Sequence, residues 1–152
     1  MSLSIVLTSG EGQTGHLIAE LLLTNPDFKK SVKTLTLLTS NTEHSHIKSL
    51  VSSGAVAVEA TTKEEIMKAM EDAKPNAAMI IPPSSADKLK EVKELLAVVK
   101  EVGGVENAVL LSSAGADLAG ENLPRLREFV EIEKAVMAAV GAASIIRSVQ
   151  LR

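Results

Sequence analysis

Along this chain, short runs that are apolar at nearly every position alternate with longer stretches whose apolar residues fall three and four apart. Ser4–Thr8 (SIVLT) reads as a buried strand. Leu17, Ile18, Leu21 and Leu22 then recur at helical spacing, and Asn25-Pro26 is the predicted stop. Thr34–Thr39 (TLTLLT) is rich in β-formers. Ile47, Leu50 and Val51 mark a short helix closed by Gly54, and Val56–Glu59 forms a third short strand. Thr62 with Glu65 has the spacing of a capping box, ahead of a helix carrying Ile66, Ala69, Met70 and Ala73 and ending before Pro75.

Ala77–Ile81 (AAMII) continues the alternation as a strand ended by Pro82-Pro83. Leu89, Val92, Leu95, Leu96, Val99 and Val102 make one helical stripe, stopped by Gly103-Gly104. Asn107–Leu111 (NAVLL) is the next strand. A helix with Pro124 near its first turn carries Leu126, Phe129, Val130, Glu133, Val136, Met137 and Val140, and Ala143–Val149 is the last strand. Six strands and five helices in strict β-α alternation predict an α/β fold in three layers, a parallel sheet with helices on both faces. Right-handed crossovers leave the doubly wound Rossmann-type order 3-2-1-4-5-6, with a five-stranded flavodoxin-like order as the alternative. No linker or repeat divides the chain, so residues 1–152 are read as one domain.

Composition narrows the function. The 152 residues contain no cysteine, which removes disulfides, thiolate nucleophiles and cysteine-type zinc sites. A net charge of −3, with two Phe and neither Trp nor Tyr, lacks both the basic face and the stacking rings of a nucleic-acid binder. No apolar run approaches the roughly 18 residues of a membrane span, and MSLSIVLTSG has no basic segment before its apolar stretch. A cytoplasmic location without membrane contact is the expectation.

The chemistry concentrates at TSGEGQTGHL, residues 8–17, where Gly10, Gly12 and Gly15 fit G-x-G-x-x-G between the first strand and the first helix. Glycines there allow a tight turn and close backbone approach, and the helix behind them offers unpaired N–H groups to an anion. This predicts a pyrophosphate of NAD or NADP on Gly12, Gly15 and the amides around Gln13 and Thr14. Glu11 is discordant, since a carboxylate repels a pyrophosphate. The acid that usually holds the adenosine ribose after strand two is missing; the chain there reads Leu38-Thr39-Ser40-Asn41, with Glu43 beyond it and no Arg. Thr39, Ser40 and Asn41 are therefore either hydrogen-bonding partners for either ribose form or ordinary polar loop residues.

Several stretches add up to a resemblance. SIVLTSGEGQTGHLIAELLL resembles the opening of the NmrA-like, atypical short-chain dehydrogenase/reductase family, whose turn reads T-G-A-T-G-x-T-G. In that register Thr8 matches the Thr, Ser9 replaces the first Gly, Gly10 falls on the Ala, and Gly12 and Gly15 match the remaining glycines. VENAVLLSSAGAD (105–117) is similar to its G-V-K-x-x-V-x-x-S-S-x-G-A-D segment, AASIIR (142–147) to its Y-T-I-L-R strand, and Glu133 to a Glu of the helix between them. MIIPP (79–83) looks like its fourth-strand end, which lines the cofactor. The resemblance implies an NAD(P)-binding Rossmann domain, with NADP slightly favoured, and implies cofactor contacts at Pro82 and Ser112 beside Thr8, Ser9, Gly10, Gly12, Gln13, Thr14, Gly15, Thr39 and Ser40. The departures are equally specific. The Arg that follows strand two in many relatives is replaced by Thr39 or Ser40, and their Gly-Asp after strand three by Glu59-Ala60-Thr61. Their Tyr-x-x-x-Lys pair falls on Arg125 and Phe129, and no tyrosine exists to donate a proton. Relatives continue for about as many residues again, so a C-terminal substrate lobe is expected to be lacking.

The remaining candidates are weaker. Ser112 and Ser113, at a strand end, either orient substrate or cofactor or bond to local backbone. His16 reads as a surface histidine or a phosphate contact, and His44 and His46 as loop residues rather than metal ligands. Lys88, Lys90, Lys93 and Lys100 alternate with acids on what reads as a solvated helix face, and Met67, Met70, Met79 and Met137 as core filler. The functional expectation is an NAD(P)-binding domain, with catalytic residues unknown. If it is an enzyme, it passes hydride from NAD(P)H to a quinone or carbonyl. The alternatives are a non-catalytic dinucleotide sensor acting on a protein partner, or a fragment that binds no cofactor. A homo-oligomer is open.

Overall fold

The computed structural model of the chain describes residues 2–149. Its centre is β1 (Leu3–Thr8), where Ile5 and Leu7 face one side and Val6 the other, and all three are buried. A strand buried on both sides needs neighbours on both edges, and β1 has them: β2 (Val32–Thr39) and β4 (Ala77–Ile80), both parallel. With β3 (Val56–Glu59), β5 (Asn107–Ser113) and β6 (Ala142–Ser148), the sheet is six-stranded, in the order β3-β2-β1-β4-β5-β6. This is the predicted doubly wound order, and the five-stranded alternative does not apply.

Helices α1 (Gln13–Thr24), α2 (Pro26–Lys29) and α3 (Ser45–Ser52) lie on one face. Their core joins Ile5, Leu7, Leu35, Leu37, Ala19, Leu23, Ile47 and Leu50. α4 (Lys63–Ala73) carries the chain across the sheet, and α5 (Lys88–Val102) and α6 (Pro124–Ala139) follow it on the other face, around Met70, Ile80, Val98, Leu110, Ile132 and Val136. The Thr62–Glu65 capping box forms as read. The Thr62 hydroxyl accepts the Glu65 amide at 3.2 Å, and the Glu65 carboxylate accepts the Thr61 and Thr62 amides at 2.7 and 3.1 Å. Those backbone donors hold the Glu65 carboxyl below its ordinary range.

Three readings are corrected. The first helix does stop before Pro26, but a four-residue helix follows it, started by the Asn25 side chain accepting the Asp27 amide. Lys88 is not solvated: it is buried, 2.6 Å from the Glu128 carboxylate and over the Phe129 ring. Met137 is exposed and fills no core.

Candidate functional site

β1 and β4 are neighbours whose following helices lie on opposite faces, so the crevice between their carboxyl ends is the topological switch point. Two hydroxyls clip that crevice. Thr8 donates to the Ile81 carbonyl at 3.0 Å and accepts the Ile81 amide at 2.9 Å, and Ser9 donates to the same carbonyl at 2.8 Å. Ser9 has φ 56°, the left-handed conformation that glycine adopts most easily, and it is the residue standing where the related turn has its first Gly.

The three glycines after it differ in what surrounds them. A Cβ on Gly10 would touch Ile47, Leu37 and Leu7 at 3.4–3.6 Å, so Gly10 packs against the core. A Cβ on Gly15 would stand 2.1 Å from the Ser9 carbonyl oxygen, so the turn can close on α1 only through a glycine. A Cβ on Gly12 would meet only the Ser9 oxygen at 3.4 Å, and its φ of −72° and ψ of 159° suit any residue. Packing therefore gives no reason for glycine at Gly12. Gly12 is also the N-cap of α1, and no side chain caps that helix. Among the described residues, the Gly12 amide bonds to Ser9 and the His16 amide to Gly12, while the amides of Gln13, Thr14 and Gly15 have no acceptor. An uncapped helix start beside a residue whose Cβ would make no more than one ordinary contact fits a phosphate group. Glu11 runs against this: its Oε2 is buried without a partner, on the wall of the adjoining cleft.

That cleft, about 540 Å³, is walled by Thr8, Ser9 and Glu11 of the turn, by Leu38, Thr39 and Ser40 at the end of β2, by Ala60 and Thr61 after β3, by Ile80, Ile81 and Pro83, and by Asp87 at the start of α5 with Lys90, Glu91, Glu94 and Leu95 of that helix. Thr39 is buried, its hydroxyl accepting the Asn41 amide at 3.1 Å; Ser40 is exposed. The predicted turn residues Thr8 and Ser9 thus share a wall with Thr39 and Ser40. Pro83 lines the cleft where Pro82 was expected. The α5 contribution was missed, because helical periodicity marked its charges as solvated and gave no sign of what stood opposite. Beyond β2, Lys48 is engaged by Glu43 at 2.6 Å, so the cation on the cleft wall is Lys90.

Ser112 lies elsewhere. It faces α6, 3% exposed, and donates to Glu133 at 2.6 Å. Arg147 of β6 grips the same carboxylate through Nε at 3.0 Å and Nη2 at 2.9 Å, and reaches Asp117 with Nη1 at 2.9 Å. Arg147, against the opposing effect of burial, holds the Glu133 carboxyl below its ordinary range, with Ser112 helping; Glu133 in turn raises the guanidinium. Ser112 is thereby tied into a bridge between β5, α6 and β6. The three histidines gather beside the glycine turn. His16 and His46 rings lie 4.4 Å apart, His44 lies 5.1 Å from His46, and His46 Nδ1 is 2.9 Å from the Glu11 carbonyl. Among the described residues no cluster suits a metal, and no helix is long and apolar enough to cross a membrane.

A six-stranded parallel sheet in this order, with a glycine turn at its switch point, is a Rossmann-type fold. Solved structures share it. The NADPH-dependent quinone oxidoreductase QOR2 of Escherichia coli, complexed with NADPH, superposes with a TM-score of 0.75 at 19% identity, over 95% of this chain and 48% of that one. The triphenylmethane reductase of Citrobacter sp., complexed with NADP(H), gives 0.78 at 17%, over 95% and 49%. The leucoanthocyanidin reductase–NADPH complex of Vitis vinifera gives 0.74 at 17%, over 94% and 48%. The chain spans about half the length of each. No protein-family model matches the sequence, and no curated protein matches it.

Proposed function

We propose that this chain is an NADP(H)-binding Rossmann unit of the NmrA-like type over residues 1–152. The observation that carries the proposal is the uncapped start of α1 beside Gly12, a glycine that packing does not require. The amides of Gln13, Thr14 and Gly15 hold the pyrophosphate, and the Thr39–Asn41 turn with Ser40 meets the adenosine ribose in the adjoining cleft. NADP is preferred to NAD because the structural neighbours are complexes with NADPH or NADP(H). A cytoplasmic location is part of the same proposal.

The reduced nicotinamide, when bound, supplies hydride, and a quinone or carbonyl is the acceptor class. With no tyrosine in the chain, the balancing proton comes from water. The lack of a tyrosine to donate the proton, together with a Ser112 hydroxyl already committed to Glu133, favours a second reading. In that reading the unit senses dinucleotide without turning it over, and occupancy alters a protein contact.

Calorimetric titration of NADPH, NADH and their oxidised forms tests the proposal. Binding that Gly12→Val abolishes, with the fold and melting temperature kept, supports it. No binding at millimolar dinucleotide, or unchanged affinity in Gly12→Val, overturns it. Binding without quinone-dependent NADPH oxidation selects the sensor.

A further inference from the structure

Glu11 sits in the glycine turn without a structural partner for its charge. Its Oε2 is buried and receives no hydrogen bond, and among the described residues no ion pair engages it. A buried carboxylate oxygen left unpaired costs the fold stability, so packing does not call for an acid there. The main chain around it is held. A carbonyl oxygen can only accept, so His46 Nδ1 carries the hydrogen and donates to the Glu11 carbonyl at 2.9 Å. The next amide, that of Gly12, donates to Ser9 at 3.2 Å. The carboxylate therefore stands on the cleft wall, two residues before the first free amide of α1.

Little around it offsets the charge. Across the cleft α5 presents Asp87, Glu91 and Glu94 against Lys90, and Glu91 already accepts the Ser85 hydroxyl at 2.8 Å. Behind Thr61, the Glu65 carboxylate is occupied by the capping box of α4. On the α3 side Lys48 is held by Glu43, and the His46 ring, with His16 and His44 beside it, meets the backbone of Glu11. The cleft wall thus carries four carboxylates and one ammonium group.

We infer that Glu11 sets how tightly this site holds a dinucleotide. The start of α1 attracts the phosphates and the Glu11 carboxylate opposes them, so the affinity is the difference of two effects, one of which a proton removes. This rests on the dinucleotide reading above and adds to it a residue that weakens the complex. Glu11 shares its wall with Thr39 and Ser40, so its charge bears on the adenosine side of the ligand as well as on the pyrophosphate. A site held back in this way fills and empties as the dinucleotide level changes, which is the behaviour a sensor needs.

Calorimetric titration with NADP+, which withstands acid, tests the inference on the native chain, Glu11→Gln and Glu11→Ala. At pH 7.5 both variants are expected to bind about tenfold tighter than the native chain, the scale set by like charges a few ångströms apart in a half-open cleft. Their melting temperatures are expected not to fall, since no bond to the side chain is lost. The gap is expected to close as pH falls to about 4.5, where glutamate side chains take up protons. The imidazoles of His16, His44 and His46 gain charge in all three proteins, so their effect cancels in the ratio. Variants that bind no tighter than the native chain overturn the inference and leave the dinucleotide reading standing. So does a gap that is unchanged at pH 4.5, or a gain in Glu11→Gln that Glu11→Ala lacks, which would assign it to a new amide–phosphate bond. Binding by none of the three at millimolar NADP+ overturns the dinucleotide reading itself.

Discussion

Gly10, Gly12 and Gly15 look alike in the sequence and do three different things. Gly15→Ala puts a methyl group 2.1 Å from a backbone oxygen that cannot swing away, and is expected to cost about 3 kcal/mol or more. Gly12→Ala meets nothing closer than 3.4 Å and is expected to stay within about 0.5 kcal/mol of the native chain. Urea unfolding of the two variants measures the contrast; equal costs would refute it. The turn was legible because spacing alone marks it, but the separate duties of its glycines depend on Ser9, Leu37 and Ile47, whose approach only the folded chain reveals. Glu133 makes a second prediction at this scale. Its folded carboxyl titrates below the ordinary value of 4.5, so its contribution is fully present above that value and is lost as pH falls through the lowered one. Glu133→Gln should therefore be less stable than the native chain at pH 7, with the gap closing as the medium is acidified below about pH 4.5. A gap that stays constant down to pH 3 would assign the loss to packing.

Elements whose determinants are local were readable in advance. The α4 start needed only Thr62 and Glu65, three residues apart, and both hydrogen bonds of the box are present. Thr62→Ala is expected to lose about 1 kcal/mol of unfolding free energy, seen as a lowered urea midpoint with an unchanged slope. Elements defined by distant neighbours were misread. Lys88 looked like one charge among several on a wet helix face, but Glu128 and Phe129, some forty residues on, enclose it. The same limit hid the α5 side of the cleft: Lys90, Glu91 and Glu94 carry no periodic sign that the ends of β2 and β4 stand opposite. α2 was missed for a different reason. At four residues it is too short to show a period, and its one signal is the Asn25-Pro26 pair, which also reads as a stop.

At the scale of the molecule, strand order followed from alternation and handedness, which is why the architecture was readable without coordinates. Which faces are covered was not readable, because Val109 and Leu111 look as apolar as Ala108 and Leu110; only register separates the packed side, which holds Ala108 and Leu110, from the other. The position of β1 has a consequence for how the chain is made. β1 leaves the ribosome before the other five strands, yet it sits at the centre of the sheet, and one of its edges is satisfied, among the described residues, by β4 and by Asn76, whose side chain accepts the Ser4 amide 72 residues away. A nascent chain can join β1 to β2 and β3 early, since those pairings close short loops. Until translation has passed β4, the central strand of the sheet keeps an open edge, and the half-made sheet carries its greatest risk of pairing with the wrong chain there.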